Sequence, residues 1–379
     1  MKSMKHQKVL YFITEDWYFL SHRLPLALAA RDAGYDVAVA TRVNTQGDSI
    51  RQAGIRLIPL KLSRRGMNVI SELMTFVRLL RLYRREKPDL VHHVAMKPVL
   101  YGSLVARLAG VPHVVNALAG LGYVFTSDQL TAHILNPLIS CAFRMLLSSK
   151  NSRLILQNRD DLALFIHKRF ISEERTALVR GSGVDTAAFS PTLEPPGLPV
   201  VMLASRMLWD KGVKEFVEAA RILKRLSIHA RFVLVGDTDL QNPSAIPQGQ
   251  LTAWHTEGII EWWGHREDMP TVFSEAHIIC LPSFREGLPK VLIEAAACGR
   301  PIVTTDAPGC REIVNNEVNG LLVPVRNEME LANAIQRLIE SPELRQTMGA
   351  RGREIVLKEF SVEKVVSETM AVYESLLNQ

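Results

Sequence analysis

Cysteine is scarce. Four of the 379 residues are cysteines (Cys141, Cys280, Cys298 and Cys310), and no two of them stand at a metal-ligand spacing. That excludes a disulfide scaffold and a structural zinc site, and their mostly apolar neighbours read as reduced core thiols of a cytosolic protein. No apolar run reaches the length of a bilayer crossing, because the most apolar stretches are cut by Arg107, Pro112, Asn136, Pro137 and Arg144. The opening MKSMKHQKVLYFITEDW turns acidic at Glu15 and Asp16 too soon for a secretory signal. Low-complexity tracts are missing. So is a G-x-G-x-x-G after the first β-like run, where FITEDWYFLSHR stands instead. A nicotinamide dehydrogenase thereby loses its main support.

Charge is present but unevenly placed. Residues 1–185 carry 26 Lys/Arg against 14 Asp/Glu, and residues 186–379 carry 19 against 25, so +12 and −6 make up the net +6. A basic half joined to an acidic half points to an anionic surface or ligand for the former. The basic half has neither the interleaved aromatics of single-strand binders nor a helix-turn-helix or zinc pattern, so no nucleic acid partner is expected. Two segments within it, SRRGMNVISELMTFVRLLRLYRREK (63–87) and HILNPLISCAFRMLLSSKNSR (133–153), join apolar stripes to Arg and Lys. Either suits an ordinary surface helix. Together they favour peripheral attachment to anionic lipid headgroups at the inner face of the cytoplasmic membrane.

β-rich runs alternate with helical runs throughout. KVLYFI, DVAVAT, IRLIPL, DLVHHV, PHVVNAL and SRLILQ read as buried strands of the first half, and PVVMLAS, RFVLVG, HIICLPS and RPIVTTD as strands of the second. Helices are expected over 24–33, 69–86, 99–109, 213–226 and 290–298. This grammar predicts parallel sheets covered on both faces, two doubly wound Rossmann-like domains facing each other across a cleft. The Pro-rich DTAAFSPTLEPPGLP suggests the division: a domain over 1–185, a linker over 186–199, a second domain over 200–360, and a final helix over 361–379.

The stretch SFREGLPKVLIEAAACGRPIVTTD (283–306) concentrates the chemistry. FREGL follows a strand, Pro289 suits the first helical position, and Gly299 the position just past the helix end. Ligands of open α/β sheets bind beyond the carboxyl ends of strands. The first N–H groups of a helix have no carbonyl within it, so those of Leu288, Lys290 and Val291 point at that crevice and form an anion site. Glu286 at this place also suits plain helix-dipole stabilisation, worth ~0.3–1 kcal/mol. Glu294 lies among Val291, Leu292, Ile293, Ala295, Ala296 and Ala297. A buried carboxylate costs several kcal/mol unless partnered, either by a buried Arg or Lys or by a polar ligand such as a sugar diol. Upstream, LASRMLWDKGVKEF sets Arg206 at a strand end and Lys211 at a helix start, two cations able to clamp a diphosphate.

These pieces resemble glycosyltransferase family 4, retaining enzymes of the two-Rossmann GT-B architecture. The resemblance is carried over 179–379 by GVDTAAF, SRMLWDKGVKEF, FVLVGD, CLPSFREGLPKVLIEAAACGRPIVTTDAPGCREIV and NGLLVP, with KEFSVEKVVSETMAVYESLL as a degraded end pattern. In the first half, FLSHRLPLA and NALAGLGYVF resemble a bacterial branch acting on polyprenyl-diphosphate-linked sugars, among them the N-acetylgalactosaminyltransferases of N-glycan assembly. The resemblance implies that Arg206 and Lys211 hold the donor diphosphate and stabilise its departure, that Glu294 binds the nucleotide ribose, and that Glu286 contacts the transferred sugar. Gly287, Leu288 and Pro289 would form the turn against sugar and phosphates, with WGHRED (263–268) beside the base. It also implies that the C-terminal helix returns to the first half.

Two departures mark the first half: TEDWYFLSHR replaces a glycine pair, and NALAGLG stands where many relatives have a histidine. His22 and Arg23 are candidates for the acceptor diphosphate or for a helix start, and Gly120 and Gly122 for close backbone approach or a plain turn. His92 and His93 read as packing residues. The expected activity is retaining transfer of an N-acetylhexosamine or hexose from a UDP-sugar to a polyprenyl-diphosphate-linked saccharide in surface-glycan or glycoprotein-glycan assembly. No resident cofactor is expected, and no D-x-D pair is placed to hold a metal beside the diphosphate, so turnover is expected to be metal-independent. Two alternatives stay open: a UDP-sugar 2-epimerase of the same architecture, and a non-catalytic membrane-associated nucleotide-sugar-binding protein.

Overall fold

The structure is a computed structural model describing residues 7–62, 69–120 and 130–378, with side chains left out also at 69 and 130–135. Gly122 and residues 63–68 of the first basic segment thus lie outside the description, as do the side chains of 133–135 in the second. The chain forms two units, residues 1–182 with 365–379, and residues 183–364.

The first unit is a parallel sheet of β1 (Lys8–Glu15), β2 (Asp36–Arg42), β3 (Arg56–Pro59), β4 (Leu90–Val94), β5 (His113–Leu118), β6 (Ser152–Leu156) and β7 (Thr176–Leu178), in the order β3-β2-β1-β4-β5-β6-β7. Its central strands are buried along nearly their whole length, as in a parallel sheet covered on both faces. Between strands run α1 (Asp16–His22), α2 (Leu24–Asp32), α3 (Gly47–Gln52), α4 (Val69–Glu86), α5 (Met96–Ala109), α6 (Leu130–Leu146) and α7 (Arg159–His167). The short edge strand β7 has no expectation behind it, and α5 begins three residues before the expected Val99. Cys141 is exposed, which corrects its reading as a core thiol; Cys280, Cys298 and Cys310 are buried and free.

The second unit repeats the plan with β8 (Val200–Ala204), β9 (Arg231–Val235), β10 (Glu261–Gly264), β11 (Ile278–Leu281), β12 (Ile302–Thr305) and β13 (Gly320–Val323), ordered β10-β9-β8-β11-β12-β13 and parallel throughout. The strand order reverses direction at β8/β11, as it does at β1/β4 in the first unit. Such switch points open a crevice at the carboxyl ends of the strands. Helices α8 (Val213–Arg225), α9 (Gln248–Thr256), α10 (Met269–Ser274), α11 (Lys290–Ala297), α12 (Glu328–Glu340) and α13 (Pro342–Glu359) cover the sheet. On α8, Val213, Phe216, Val217, Ala220 and Leu223 are buried, an i, i+3, i+4, i+7 stripe that seats one face on the core. Helix α11, apolar except for Lys290 and Glu294, is packed by α13. There Gly352 meets Ala296, with an added Cβ standing 3.4 Å from the alanine Cβ, and Gly349 lies against the Gly299 carbonyl.

Residues 186–199, expected as a linker, pack within this second unit. Glu194 accepts two hydrogen bonds at 2.8 Å from the buried Arg345, and Arg300 donates to Thr192 at 2.6 Å. Arg353 donates to the carbonyls of Thr186 and Phe189. The final helix α14 (Val362–Leu377) lies from Val365 onward in the first unit, where Tyr373 is fully buried beside Tyr11. Residues 361–364 stay with the second unit, held by a bridge between Val184 and Ser361.

Candidate functional site

In the second unit, two loops meet at the β8/β11 switch point. The loop after β8 carries Arg206 and then a 3-10 turn, Trp209–Lys211, so Lys211 precedes α8 rather than starting it. Gly212 follows with φ +72°, and a Cβ there would overlap the Pro282 carbonyl. Only glycine suits that contact. The Phe284 N–H donates to the Asp210 carbonyl at 3.0 Å, tying this turn to the loop after β11.

The tie brings Lys211 and Glu286 together. The Lys211 ammonium donates to Glu286 Oε1, and the Ser283 hydroxyl donates to the same oxygen at 2.7 Å. The Glu286 N–H donates to the Pro308 carbonyl at 3.0 Å. Gly309 crosses so close that an added Cβ would lie 2.6 Å from the Glu286 carbonyl oxygen. Ser283, Pro308 and Gly309 were not expected at the site, although the last two stand within the motif-bearing stretch DAPGC.

Pro289, expected as the first helical residue, has an extended backbone and is instead the N-cap of α11; Gly299, with φ +69°, follows the helix end as expected. Leu288 is buried in the core and Gly287 forms the turn. One turn into α11, Glu294 is 8% exposed. Lys290 Nζ stands 3.3 Å from Glu294 Oε1. Burial holds the Glu294 carboxyl above its ordinary range, and Lys290 offsets only part of that rise. The partner demanded by burial is thus a lysine one helical turn away, an i, i+4 spacing present in the sequence.

Arg206 projects beside β9, where its guanidinium donates to Asp239 at 2.9 Å. Asp239 belongs to the loop after β9, which is woven into the Arg206–Lys211 loop. The Met207 N–H donates to the Asp237 carbonyl, the Trp209 N–H to the Ser244 carbonyl, and the Ser244 hydroxyl to the Asp210 carboxylate at 3.2 Å. Asp237-Thr238-Asp239 is a D-x-D sequence at this end of the sheet, a placement that the sequence reading did not give it. Its second carboxylate is engaged by Arg206. Among the described residues no group of three His, Cys, Asp or Glu is arranged to hold a metal ion.

The first-unit candidates fall into two groups. His22 ends α1, its ring stacked on Tyr18 with centroids 4.2 Å apart, and Arg23 is the N-cap of α2. Gly120 follows β5 with φ +139°, a backbone that favours glycine. His93 is a packing residue: its ring bonds Tyr83 at 2.9 Å and Asn116 at 2.8 Å, and burial lowers its pKa to about 4. Asp16, fully buried, was not singled out from sequence. It accepts from the N–H groups of Trp17, Asn44 and Gln46, locking α1 to the loop after β2.

This geometry sets Lys211 against Glu286 and Lys290 against Glu294 around the N-terminal end of α11, with Arg206 held by Asp239 on the neighbouring loop. Comparison with known proteins gives the family. Residues 8–158 match the family model described as glycosyl transferase 4-like, and residues 198–341 the model described as glycosyl transferases group 1. The chain is 28% identical to the N,N'-diacetylbacillosaminyl-diphospho-undecaprenol alpha-1,3-N-acetylgalactosaminyltransferase of Campylobacter jejuni, over 90% of this chain and 93% of that one. It is 25% identical to the UDP-Gal:alpha-D-GlcNAc-diphosphoundecaprenol alpha-1,3-galactosyltransferase of Escherichia coli, over 82% of this chain and 81% of that one. The fold is similar to that of Anabaena HepE in complex with UDP and glucose, with a TM-score of 0.79 over 98% of this chain and 100% of that one at 19% identity. With both halves matched, and well over half of its length between them, the chain belongs to the group 1, family 4-like glycosyltransferases and has their GT-B fold.

Proposed function

We propose that this glycosyltransferase moves an N-acetylhexosamine or hexose from a UDP-sugar to a polyprenyl-diphosphate-linked saccharide, with retention of anomeric configuration. The carrying observation is the contact of Lys211 with Glu286 at the β8/β11 switch point, with Glu294 one turn into α11 and Arg206 on the same loop as Lys211, bonded to Asp239. Arg206 and Lys211 stabilise the diphosphate as it leaves, aided by the α11 N-terminus. Glu286 contacts the transferred sugar, Glu294 takes the ribose hydroxyls, and the backbone of Gly287, Leu288 and Pro289 lies against sugar and phosphates. The activities of the Campylobacter and Escherichia relatives support a lipid-diphosphate acceptor, toward which His22, Arg23 and Gly120 are assigned. Neither a metal nor another cofactor takes part.

The enzyme works at the inner face of the cytoplasmic membrane. Among the described residues no helix is long and apolar enough to cross a membrane. On α4, Ile70, Leu73, Met74 and Val77 form an exposed i, i+3, i+4, i+7 stripe, with Arg78, Arg81, Arg84 and Arg85 along the same helix. That combination suits an interfacial helix on anionic lipid.

One panel tests the reading: labelled UDP-, GDP- and ADP-sugars with polyprenyl-diphosphate-monosaccharide acceptors, product read by mass, with and without EDTA. A product one hexose or N-acetylhexosamine heavier, from UDP-sugar and insensitive to chelation, is expected. Release of an epimerised sugar without acceptor would favour the epimerase, and binding without turnover a non-catalytic protein.

A further inference from the structure

We propose that the first unit contains an oxyanion site built on Arg23 and His92, which takes a phosphoryl oxygen. It lies in a different unit from Arg206 and Lys211. A narrow cavity on the α2/α14 side of the first sheet is lined by Arg23, His92, Gly181, Ser182 and Thr369 among others, and no carboxylate lines it.

Two polar atoms of its lining are buried without a partner: Arg23 Nε and His92 Nε2. Arg23 is 5% exposed and His92 1%. One Arg23 terminal nitrogen donates to the His22 carbonyl at 3.0 Å, and no carboxylate pairs with the guanidinium among the described residues. A buried charge left in this condition is costly, and an anion is the chemistry that removes the cost. A neutral ligand would satisfy the Nε–H without answering the charge.

His92 is set to adapt. Its Nδ1 lies 2.5 Å from the Tyr373 hydroxyl, which lies 2.9 Å from the Tyr11 hydroxyl. When Tyr373 donates to Tyr11, Nδ1–H donates to Tyr373 and Nε2 presents a lone pair. When the hydroxyls turn the other way, Tyr373 donates to Nδ1 and Nε2 carries the proton. A negative oxygen beside Arg23 selects the second arrangement, with both orphan atoms donating to it. The cavity admits little more than a water-sized group, so one oxygen enters while the phosphorus stays at the mouth. The oxygen could belong to a lipid-linked diphosphate, which rests on the proposed acceptor, or to free phosphate or pyrophosphate.

The test uses the full chain carrying Arg206→Ala and Lys211→Ala, to silence the second unit, with inorganic pyrophosphate as probe. A rise in melting temperature is expected, with Kd weakened by about tenfold or more when Arg23→Gln is added. His92→Gln, and the His92 Nε2 resonance of the otherwise unchanged protein followed through the titration, serve if Arg23→Gln does not fold. No rise, a rise equal in the Arg23→Gln and His92→Gln proteins, or an unmoved His92 resonance would overturn the site and leave the cavity to a bound water. In the active enzyme, Arg23→Gln should raise the KM for the lipid-diphosphate acceptor and leave that for the donor unchanged. Pyrophosphate binding with an unmoved acceptor KM would keep the oxyanion site and assign it to free phosphate. Absence of any glycosyl transfer would overturn the proposed activity but not the pyrophosphate result.

Discussion

Arg206 and Asp239 meet at 2.9 Å across the β8 and β9 loops, and this pair anchors one of the two cations proposed to hold the donor diphosphate. The guanidinium side chain is 45% exposed, so without Asp239 it samples open solvent. Asp239→Asn keeps a hydrogen-bond acceptor but removes the charge. We expect a donor KM raised by about tenfold, the worth of one charge-assisted hydrogen bond, with kcat changed less. A steady-state comparison of KM and kcat checks it; an unchanged KM would show that Arg206 needs no such anchor.

Lys211 is the more demanding cation, being partly buried against Glu286. Lys211→Met removes the charge and keeps the stem. Its kcat should fall by about a hundred-fold to a thousand-fold, the range for losing one preorganised electrostatic contact to a developing anion. Single-turnover rates at saturating donor read this directly. Gly309→Ala should approach the same loss without touching a charged group, because φ +81° and the Glu286 and Gly287 carbonyls leave a Cβ no room.

Glu294 carries a pH signature. Burial raises its folded pKa above the ordinary value of 4.5. Between the unfolded and folded pKa values the native state therefore binds more protons, and stability falls as pH rises through that window. Glu294→Gln should abolish this component, so the variant gains stability relative to the parent on going from pH 4 to pH 7. Melting curves of the two proteins across that range decide it, while donor binding by the variant should weaken.

Glu194 tests the reassigned 186–199 segment. Its carboxylate grips the buried Arg345 with two hydrogen bonds of 2.8 Å. Glu194→Ala strands that guanidinium and should cost ~2–3 kcal/mol, less than a fully buried pair because Glu194 keeps 22% side-chain exposure. Denaturant unfolding measures it. A loss near zero would restore the segment to a mere linker.

Leu73→Asp with Val77→Asp places charge on the exposed stripe of α4. Sedimentation with vesicles containing anionic lipid should then show binding reduced by about tenfold or more, since each residue loses its apolar insertion. Activity on a short-chain, water-soluble acceptor should persist. Equal vesicle binding by the variant and its parent would remove α4 from the membrane interface.

By itself the sequence determined the two parallel sheets, because a strand buried on both faces must be apolar throughout and its covering helices amphipathic. It also singled out the residues proposed to bear the chemistry, since Arg206 with Lys211 and Glu286 with Glu294 stand in two motifs whose strand–turn–helix order is local. Short strands such as β7 and β10 escaped because their residues are only partly buried and carry little pattern.

The tertiary structure decided the partners. Asp239 lies 33 residues from Arg206, and Lys211 lies 75 from Glu286. Such pairings follow from which strands become neighbours at the switch point, and no local periodicity encodes that. The same holds for Gly309 under Glu286 and for Glu194 on Arg345. His92 is the sharpest case: the sequence marked it as packing, and its Nδ1 does bond Tyr373. Only the return of α14 beneath the first sheet left its Nε2 facing the same cavity as Arg23.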